Sequence, residues 1–538
     1  MRIRTLLSLL LKIVLSRMMG KVHVVVQAQL ERSSIVAESL RLQGRIRTNV
    51  PMGRVDLIVR RFRGAKQVWT YDLKLVSDRR NLLVKSLFRL AGLRYYRFDL
   101  QLETDWEIVD PGIFGLELHT DVADQIFHFR SAPGGLGLFN GTLRRTFYTF
   151  VEPSVQIVRL EVHAIGAAEV DRLMHKAEHS VSQVPSCVIG EYPDTARDNG
   201  YALFCGLRAR SSGVKAFYII DERNADHIRV DGNQILAWGT ENHLAACIDA
   251  SVCAFTHHRN YIYPAILQHI APDRYLRTRT LFLQHGVMAM KGGPVLKHYH
   301  WNRVKYDAVV VSSAREKAMF TEHFGYPPSA VHVTGLPRMD KLYKRSKTVT
   351  PAARQILVAP TWRPGLDKLS PEQISVDPYI LHWAAAIREI KAKRFFPILI
   401  GHQILKDHLS ILGRDAAEVR TNDAFQETLL QSSALVTDYS SVAWDALYVH
   451  RPVFLFQFDQ KEIGFWRHVF IAADELPGPI STNSSDLGKT LMSAADAGWV
   501  FTAHRQRDGA FRHVDAENMT RMITFIQDMA RGTDRDDL

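Results

Sequence analysis

Between about Pro185 and Phe456 the chain repeats one pattern. A short apolar run is followed by a stretch of helical periodicity and then by another apolar run. That alternation constrains the fold more than any other feature, because strands separated by helices pair in parallel and are covered on both faces. The first series of runs is Cys187–Gly190, Ala216–Asp221, Ile235–Ala237, Val252–Phe255, Leu281–Leu283 and Ala308–Val311. The second is Ile356–Ala359, Pro397–Ile400, Ala434–Val436 and Pro452–Phe456. The polar, proline-bearing stretch KRSKTVTPAAR between them reads as an interdomain connection. Two doubly wound domains facing each other across a cleft is the architecture of many nucleotide-dependent transferases.

The N-terminal third has a different character. Residues 1–20, MRIRTLLSLLLKIVLSRMMG, carry Arg4, Ser8, Lys12 and Ser16 as one polar stripe. Lys12 interrupts the apolar run well short of the ~18 residues that a spanning helix needs. With Arg2, Arg17 and Lys21 nearby, the stretch reads as an amphipathic helix on the cytoplasmic membrane surface. Residues 21–183 instead show period-two alternation at Tyr96, Phe98, Leu100 and Leu102, and again at Val55–Val59 and Ile126–Phe129. Turn signals separate these runs, which predicts an antiparallel β-rich accessory domain, expected as a sandwich. A helix around Ala167–His179 links it to the first Rossmann-like domain, 184–348. The second runs over 349–530, and the last eight residues read as a frayed tail.

A chain of 538 residues, 46% hydrophobic and 23% charged, can bury several cores and is not expected to be disordered. Its net charge of +12 fits a phosphate-rich partner. The positive charge is dispersed, and no aromatic-basic recognition motif accompanies it, which argues against nucleic acid. Cys187, Cys205, Cys247 and Cys253 form no CxxC pair and read as free thiols of a reducing compartment.

In open α/β sheets function collects at the carboxyl ends of strands. Polar residues gather there repeatedly: Gln284-His285-Gly286, Thr334 to Arg338, Thr361-Trp362-Arg363 and Gly401-His402. Histidine titrates near neutrality and can take a proton from an attacking hydroxyl. Arg338 or Arg363 can hold a phosphate through two parallel bonds. The stretch ALVTDYSSVAWD, Ala434–Asp445, combines a strand, a polar turn from Thr437 and Asp438 through Ser440 and Ser441, and an apolar helix pattern. Unpaired N–H groups and serine hydroxyls at such a helix start suit a phosphate, and Asp445 one turn on could reach a ribose hydroxyl. The segment Gly190–Gly200 offers Asp194 or Thr195 as a helix cap near a second phosphate position. There is no Walker A sequence, no GxGxxG and no credible cluster of metal ligands, so neither a metal nor another cofactor is expected.

GEYPDTARDNGYALF, LFLQHGVMAMK, VTGLPRMDKL, APTWRP, VTDYSSVAWDAL, RPVFLFQFD and ELPGP occur in this order. As an ordered set over about residues 186–530 they resemble the CDP-glycerol glycerophosphotransferases, the family of teichoic-acid primases and polymerases that also serves capsule synthesis. The resemblance implies a GT-B-like pair of Rossmann-type domains. It implies transfer of glycerol phosphate from CDP-glycerol, or a related CDP-polyol, to a hydroxyl of a lipid-linked or polyol-phosphate acceptor, with release of CMP. It places His285 as general base and His402 as a second essential histidine, although Gln403 stands where the family commonly has proline. Arg338, Thr361, Arg363, Thr437, Asp438, Ser440, Ser441 and Asp445 fall to the donor. Asn199, Gly200 and Gly286 fall to the acceptor. The anionic cytoplasmic membrane surface is the expected peripheral location, and a homo-oligomer is compatible with all of this. Two other readings compete: a GT-B glycosyltransferase using a nucleotide sugar, and a non-catalytic membrane-bound module that binds anionic polymer.

Overall fold

A computed structural model describes residues 26–531 apart from 37–38, 49–54, 62–67, 75, 78–93, 103–108, 121–122, 132–137, 141–144, 153–156, 180–183, 211, 229–232, 289–298, 362, 364–365, 367–368, 402–415 and 461–470. The N-terminal helix expected over residues 1–20, the tail beyond Arg531, and His402 all lie outside the described residues.

Eleven strands between Val26 and His163 join into one sheet. Their pairings are antiparallel, apart from the parallel contact of Val26–Val36 with Ala123–Ser131. The strands expected as a sandwich are thus linked by hydrogen bonds into one continuous sheet. Period-two alternation fixes which side chains face inward, but not whether the next strand continues the sheet or starts a second one. Along Val55–Arg61, Val55, Leu57 and Val59 are buried while Arg60 points outward. They pack with Leu42, Phe98, Phe114, Phe147 and Leu160 in one core. Helix α1 (Ala167–His179) follows.

The first parallel sheet has seven strands: β1 (Ser186–Gly190), β2 (Lys215–Ile220), β3 (Ile235–Ala237), β4 (Val252–Phe255), β5 (Arg279–Phe282), β6 (Ala308–Val311) and β7 (Val331–Val333). Their order is β3-β2-β1-β4-β5-β6-β7, the doubly wound arrangement in which the order reverses beside the first strand. Helix α2 (Asn199–Ala209) follows β1, and α3 (Arg338–Ser346) follows β7. The second sheet repeats the scheme with β8 (Ala352–Ala359), β9 (Phe396–Leu399), β10 (Glu418–Val419), β11 (Ser432–Thr437), β12 (Val453–Phe456) and β13 (Ile480–Ser481), in the order β10-β9-β8-β11-β12-β13. The two-residue strands β10 and β13 are too short to carry a sequence period.

The second sheet explains why its strands read as unbroken apolar runs. Ile356 and Val358 of β8, Ala434 and Val436 of β11, and Phe454 and Phe456 of β12 share one core with Trp383 and Ile387 of helix α4 (Pro378–Ala392). Their alternates Leu357, Leu435 and Leu455 join the core on the other face with Trp444 and Leu447 of helix α5 (Val442–Tyr448). Both faces are covered, so neither parity is free to be polar. Helix α6 (Asn518–Arg531) begins where Asp340 of α3 accepts the N–H groups of Asn518 at 3.1 Å and Met519 at 2.8 Å.

The described chain packs as two compact units. One holds the residues up to Ala196 with Phe217–Cys253 and His258–Thr278; the other holds Arg197–Ala216, Ala254–His257 and the residues from Arg279 on. Among the described residues no helix is long and apolar enough to cross a membrane. Cys187, Cys247 and Cys253 are buried and Cys205 is half-buried, all as free thiols.

Candidate active site

Apart from Asp194 and Thr195, which fall in the first unit, the described residues singled out above for chemistry lie in the second unit. His285 stands three residues past the end of β5. Its loop is pinned from several sides. Gln284 is fully buried and holds a left-handed backbone, φ 56°. Its side-chain amide donates to the Val310 carbonyl at 2.6 Å, and its own carbonyl accepts from Asn199 Nδ2 at 2.9 Å. Glu316 accepts the Met288 N–H at 2.9 Å through one oxygen, and the Ser312 N–H and hydroxyl at 2.8 Å through the other. Burial pushes the Glu316 carboxyl above the usual range, against the lowering effect of those bonds. Gly286 meets the polar turn directly: a Cβ there would stand 3.1 Å from Ser441 Oγ and 3.9 Å from Arg338 Nη2. The Gln-His-Gly sequence thus sets a strained, buried residue and a close-approach glycine on either side of a half-exposed histidine.

Arg338 opens α3. Its Nη1 and Nη2 donate to the two oxygens of Asp445 at 2.6 and 2.9 Å, and its Nε lies 3.0 Å from Asp198 Oδ1. Its backbone N–H donates to Asn199 Oδ1 at 3.2 Å. Asn199 therefore bridges the His285 loop and the start of α3, a strut buried in the frame of the site. The cap of α2 is Asp198, not Asp194 or Thr195; Asp198 accepts the Asn199 N–H at 2.8 Å. Gly200 is buried in the first turn of that helix.

The turn after β11 divides in two. Thr437 and Asp438 are fully buried. The Thr437 hydroxyl donates to the Ala359 carbonyl at 2.6 Å. Asp438 accepts from the Thr361 N–H at 3.0 Å, the Thr361 hydroxyl at 2.5 Å, the Tyr439 N–H at 2.8 Å and Arg363 Nη2 at 2.8 Å. Arg363 also donates to Asp459 through Nε at 3.0 Å and to the Thr361 carbonyl through Nη1 at 2.9 Å, and it lies over the Tyr379 ring. Burial works against its charge, but Asp438, Tyr379 and Asp459 outweigh that and hold its pKa above the ordinary arginine value. Asp459 shares the cation with Asp438, and burial leaves its carboxyl raised. Thr361, Arg363 and Asp438 thus use their polar atoms on one another, Thr437 spends its hydroxyl on Ala359, and together they form a rigid floor. Ser440 and Ser441 are half-buried above it. Ser441 begins α5 without a side-chain cap bond, and that helix is only seven residues long, so the hydroxyl is not consumed as a cap.

Sequence reasoning missed four members of this arrangement: Asp198, His257, Glu316 and Asp459. His257 and Asp459 both follow strands whose carboxyl ends carry polar residues, so the rule that singled out His285 could have found them. Asp198 and Glu316 act through backbone N–H groups or through Arg338, and no local spacing announces that.

The family model described as CDP-Glycerol:Poly(glycerophosphate) glycerophosphotransferase matches residues 188–527. The chain belongs to that family. The minor teichoic acid biosynthesis protein GgaB of Bacillus subtilis (strain 168) is 21% identical over 391 residues, 68% of this chain and 42% of that protein. A teichoic acid glycerol-phosphate transferase of Staphylococcus aureus is 26% identical over 34% of this chain and 50% of its own length. A teichoic acid poly(ribitol-phosphate) polymerase of Bacillus spizizenii is 26% identical over 37% of this chain and 34% of its own length. The chain thus spans half or less of the length of each of these relatives. A solved structure of the wall teichoic acid polymerase TagF shares the fold, with a TM-score of 0.51, 18% identity, and coverage of 68% of this chain and 93% of that one. Mixed α/β architecture with parallel sheets is common to both.

Proposed function

We propose that this family member transfers a polyol phosphate, glycerol phosphate first, from its CDP carrier to a hydroxyl of a membrane-linked acceptor. The observation that carries the reading is Gly286. It sets the His285 loop against Ser441 with Arg338 alongside, and all three lie within the residues that the family model matches. The acceptor oxygen attacks the β-phosphorus of CDP-glycerol and its P–O bond forms. The bond from that phosphorus to the bridging oxygen breaks, and CMP leaves with the electron pair. His285 takes the acceptor proton. Ser440, Ser441 and nearby N–H groups hold the donor phosphates, while Arg338 presents positive charge on their flank. Thr361, Arg363, Thr437 and Asp438 act as the floor that fixes this geometry, and Asp445 acts by aiming Arg338. Asn199 and Gly200 order the acceptor side, and His402 assists at the donor. Such catalysis is chiefly positioning and electrostatics.

The same reading assigns residues 184–348 to the acceptor and 349–530 to the donor, as a GT-B-like pair. Residues 1–20 serve as an amphipathic anchor at the cytoplasmic face, 21–183 are an accessory domain, and the chain is open to self-association. The polymer is a teichoic-acid-like or capsular one.

The test is CMP release by the purified full chain with CDP-glycerol, CDP-ribitol and UDP- or GDP-sugars, against a panel of lipid-linked and glycerol-phosphate acceptors. Acceptor-dependent CMP release that disappears in His285→Ala supports the transferase. Release of UDP or GDP instead moves the donor to a nucleotide sugar. Undiminished polymer binding by His285→Ala with no turnover of any donor overturns the enzyme reading.

A further inference from the structure

His257 lies two residues past the end of β4, and His285 three past the end of the neighbouring strand β5. Their rings are stacked, with centroids 4.8 Å apart and planes within 12°. Thr256, fully buried, places its hydroxyl 2.7 Å from His257 Nδ1. A hydroxyl can donate to a neutral ring nitrogen or accept from a protonated one, so this bond survives either state of His257. Parallel rings do not hydrogen-bond through their in-plane nitrogens, and a proton therefore does not pass directly between them. What the stack supplies is a π face. A neutral imidazole face attracts a cation lying on it, while two imidazolium rings at this separation repel. The pair is thus suited to carrying one proton, and the proton belongs to both rings energetically.

Charged groups stand close to the pair. Arg338 Nη2 lies 3.5 Å from the His285 carbonyl oxygen and is itself held by Asp445, with Asp198 at Nε. Glu316 reaches the same loop through the Met288 N–H. His258 and Arg259 follow His257 in the chain. The backbone on both sides of His285 is fixed by Gln284, Gly286 and Glu316, and the His257 ring lies parallel to the His285 ring.

We propose that His257 is a positioning residue of the transfer reaction. Its neutral ring holds the plane of His285 and supports the imidazolium that forms when His285 accepts the acceptor's proton. This rests on the reading of His285 as the base.

The experiment compares full-length wild type with His257→Gln, which removes the ring, and His257→Phe, which keeps a π face. CMP release is followed for both, and the pH dependence of diethyl pyrocarbonate modification of His285 is read by peptide mass spectrometry. In His257→Gln kcat falls about 10-fold, with KM for CDP-glycerol held within about 2-fold, as for a lost cation–π contact felt only when His285 is charged. The His285 modification curve moves to lower pH, and His257→Phe restores most of both. An unmoved or upward-moved His285 curve in His257→Gln overturns the proposal, as does a Phe variant as impaired as the Gln variant. Should wild type turn over no CDP-polyol, the function reading fails, and the His285 modification curve still decides the role of His257 by itself.

Discussion

Arg338 and Asp445 pair through both carboxylate oxygens, at 2.6 and 2.9 Å, with side chains 10% and 5% exposed. The sequence offered one as a phosphate ligand and the other as a ribose ligand; in the structure each is first a ligand to the other. Removing one partner of a buried pair leaves an uncompensated charge and costs about 3–5 kcal/mol. Asp198 remains beside Nε, which places Asp445→Ala at the lower end of that range. Arg338→Lys keeps the charge and loses the fork, and destabilises less. Urea unfolding midpoints of Asp445→Ala and Arg338→Lys check the order.

Gly286→Ala tests the contact between the histidine loop and the polar turn. The new Cβ stands 3.1 Å from Ser441 Oγ and 3.4 Å from Ser441 Cβ, so one of the two segments must move by a few tenths of an ångström. A shift of that size at a reacting group costs roughly 10- to 100-fold in rate. Stability changes little, because a serine hydroxyl can yield. Ser441→Gly removes the obstacle. The double variant is therefore expected to recover rate relative to Gly286→Ala, and a double-mutant cycle on kcat reads the coupling. Additive losses would mean that the two segments do not meet in the working enzyme.

The carboxylates around Arg363 are unequal. Asp438 is fully buried and takes bonds from Thr361, Tyr439 and Arg363. Asp459 relies on Arg363 for its two well-formed bonds, and burial raises its pKa. Asp438→Ala should destabilise by about 3–5 kcal/mol by orphaning buried donors and a cation. Asp459→Asn should cost about 1 kcal/mol, since a raised carboxyl pKa marks a charge that the fold holds at a disadvantage. Thermal melts of the two variants, with wild type alongside, give the ranking.

These three cases show what the sequence could and could not reveal. Strand positions were readable, because both parities of β8, β11 and β12 are apolar and flanked by turns. So was the collection of polar residues at strand ends. What each polar residue does there was not readable. Thr437 and Ser441 are both small hydroxyl residues of one turn. One donates to Ala359 inside the sheet and the other faces Gly286, a difference set by burial and not by spacing. Partners such as Asp198 with Arg338, or Asp459 with Arg363, come together only when separate strand–helix units close. The single sheet over residues 26–163 was hidden for a similar reason, since alternation reports a face and not a neighbour.

His243, in the first unit, sets a further prediction. It is fully buried with both ring nitrogens used: Nδ1 accepts the Gly239 N–H at 2.9 Å, and Nε2 lies 2.9 Å from the Ile262 carbonyl. That pattern fixes the neutral Nε2–H tautomer, and a second proton would displace the Gly239 bond. Burial is the main cause that takes its pKa down to about 3, with His163 adding to it and the Ile262 bond opposing. A group whose folded pKa is depressed contributes its full stability above its unfolded pKa, ordinarily 6.5, and loses it progressively as pH falls from there to the folded value. Between pH 7 and pH 5 the loss from His243 alone is roughly 2 kcal/mol. His258 and His332 are lowered by burial and act in the same sense, whereas Glu316, Asp340 and Asp459 are raised by burial and act in the opposite one. Subtraction isolates the residue of interest. His243→Gln can accept from Gly239 and donate to Ile262 without titrating. Its urea midpoint should fall less than that of wild type between pH 7 and pH 5. Parallel falls for the two proteins would mean that His243 does not carry the acid sensitivity of this unit.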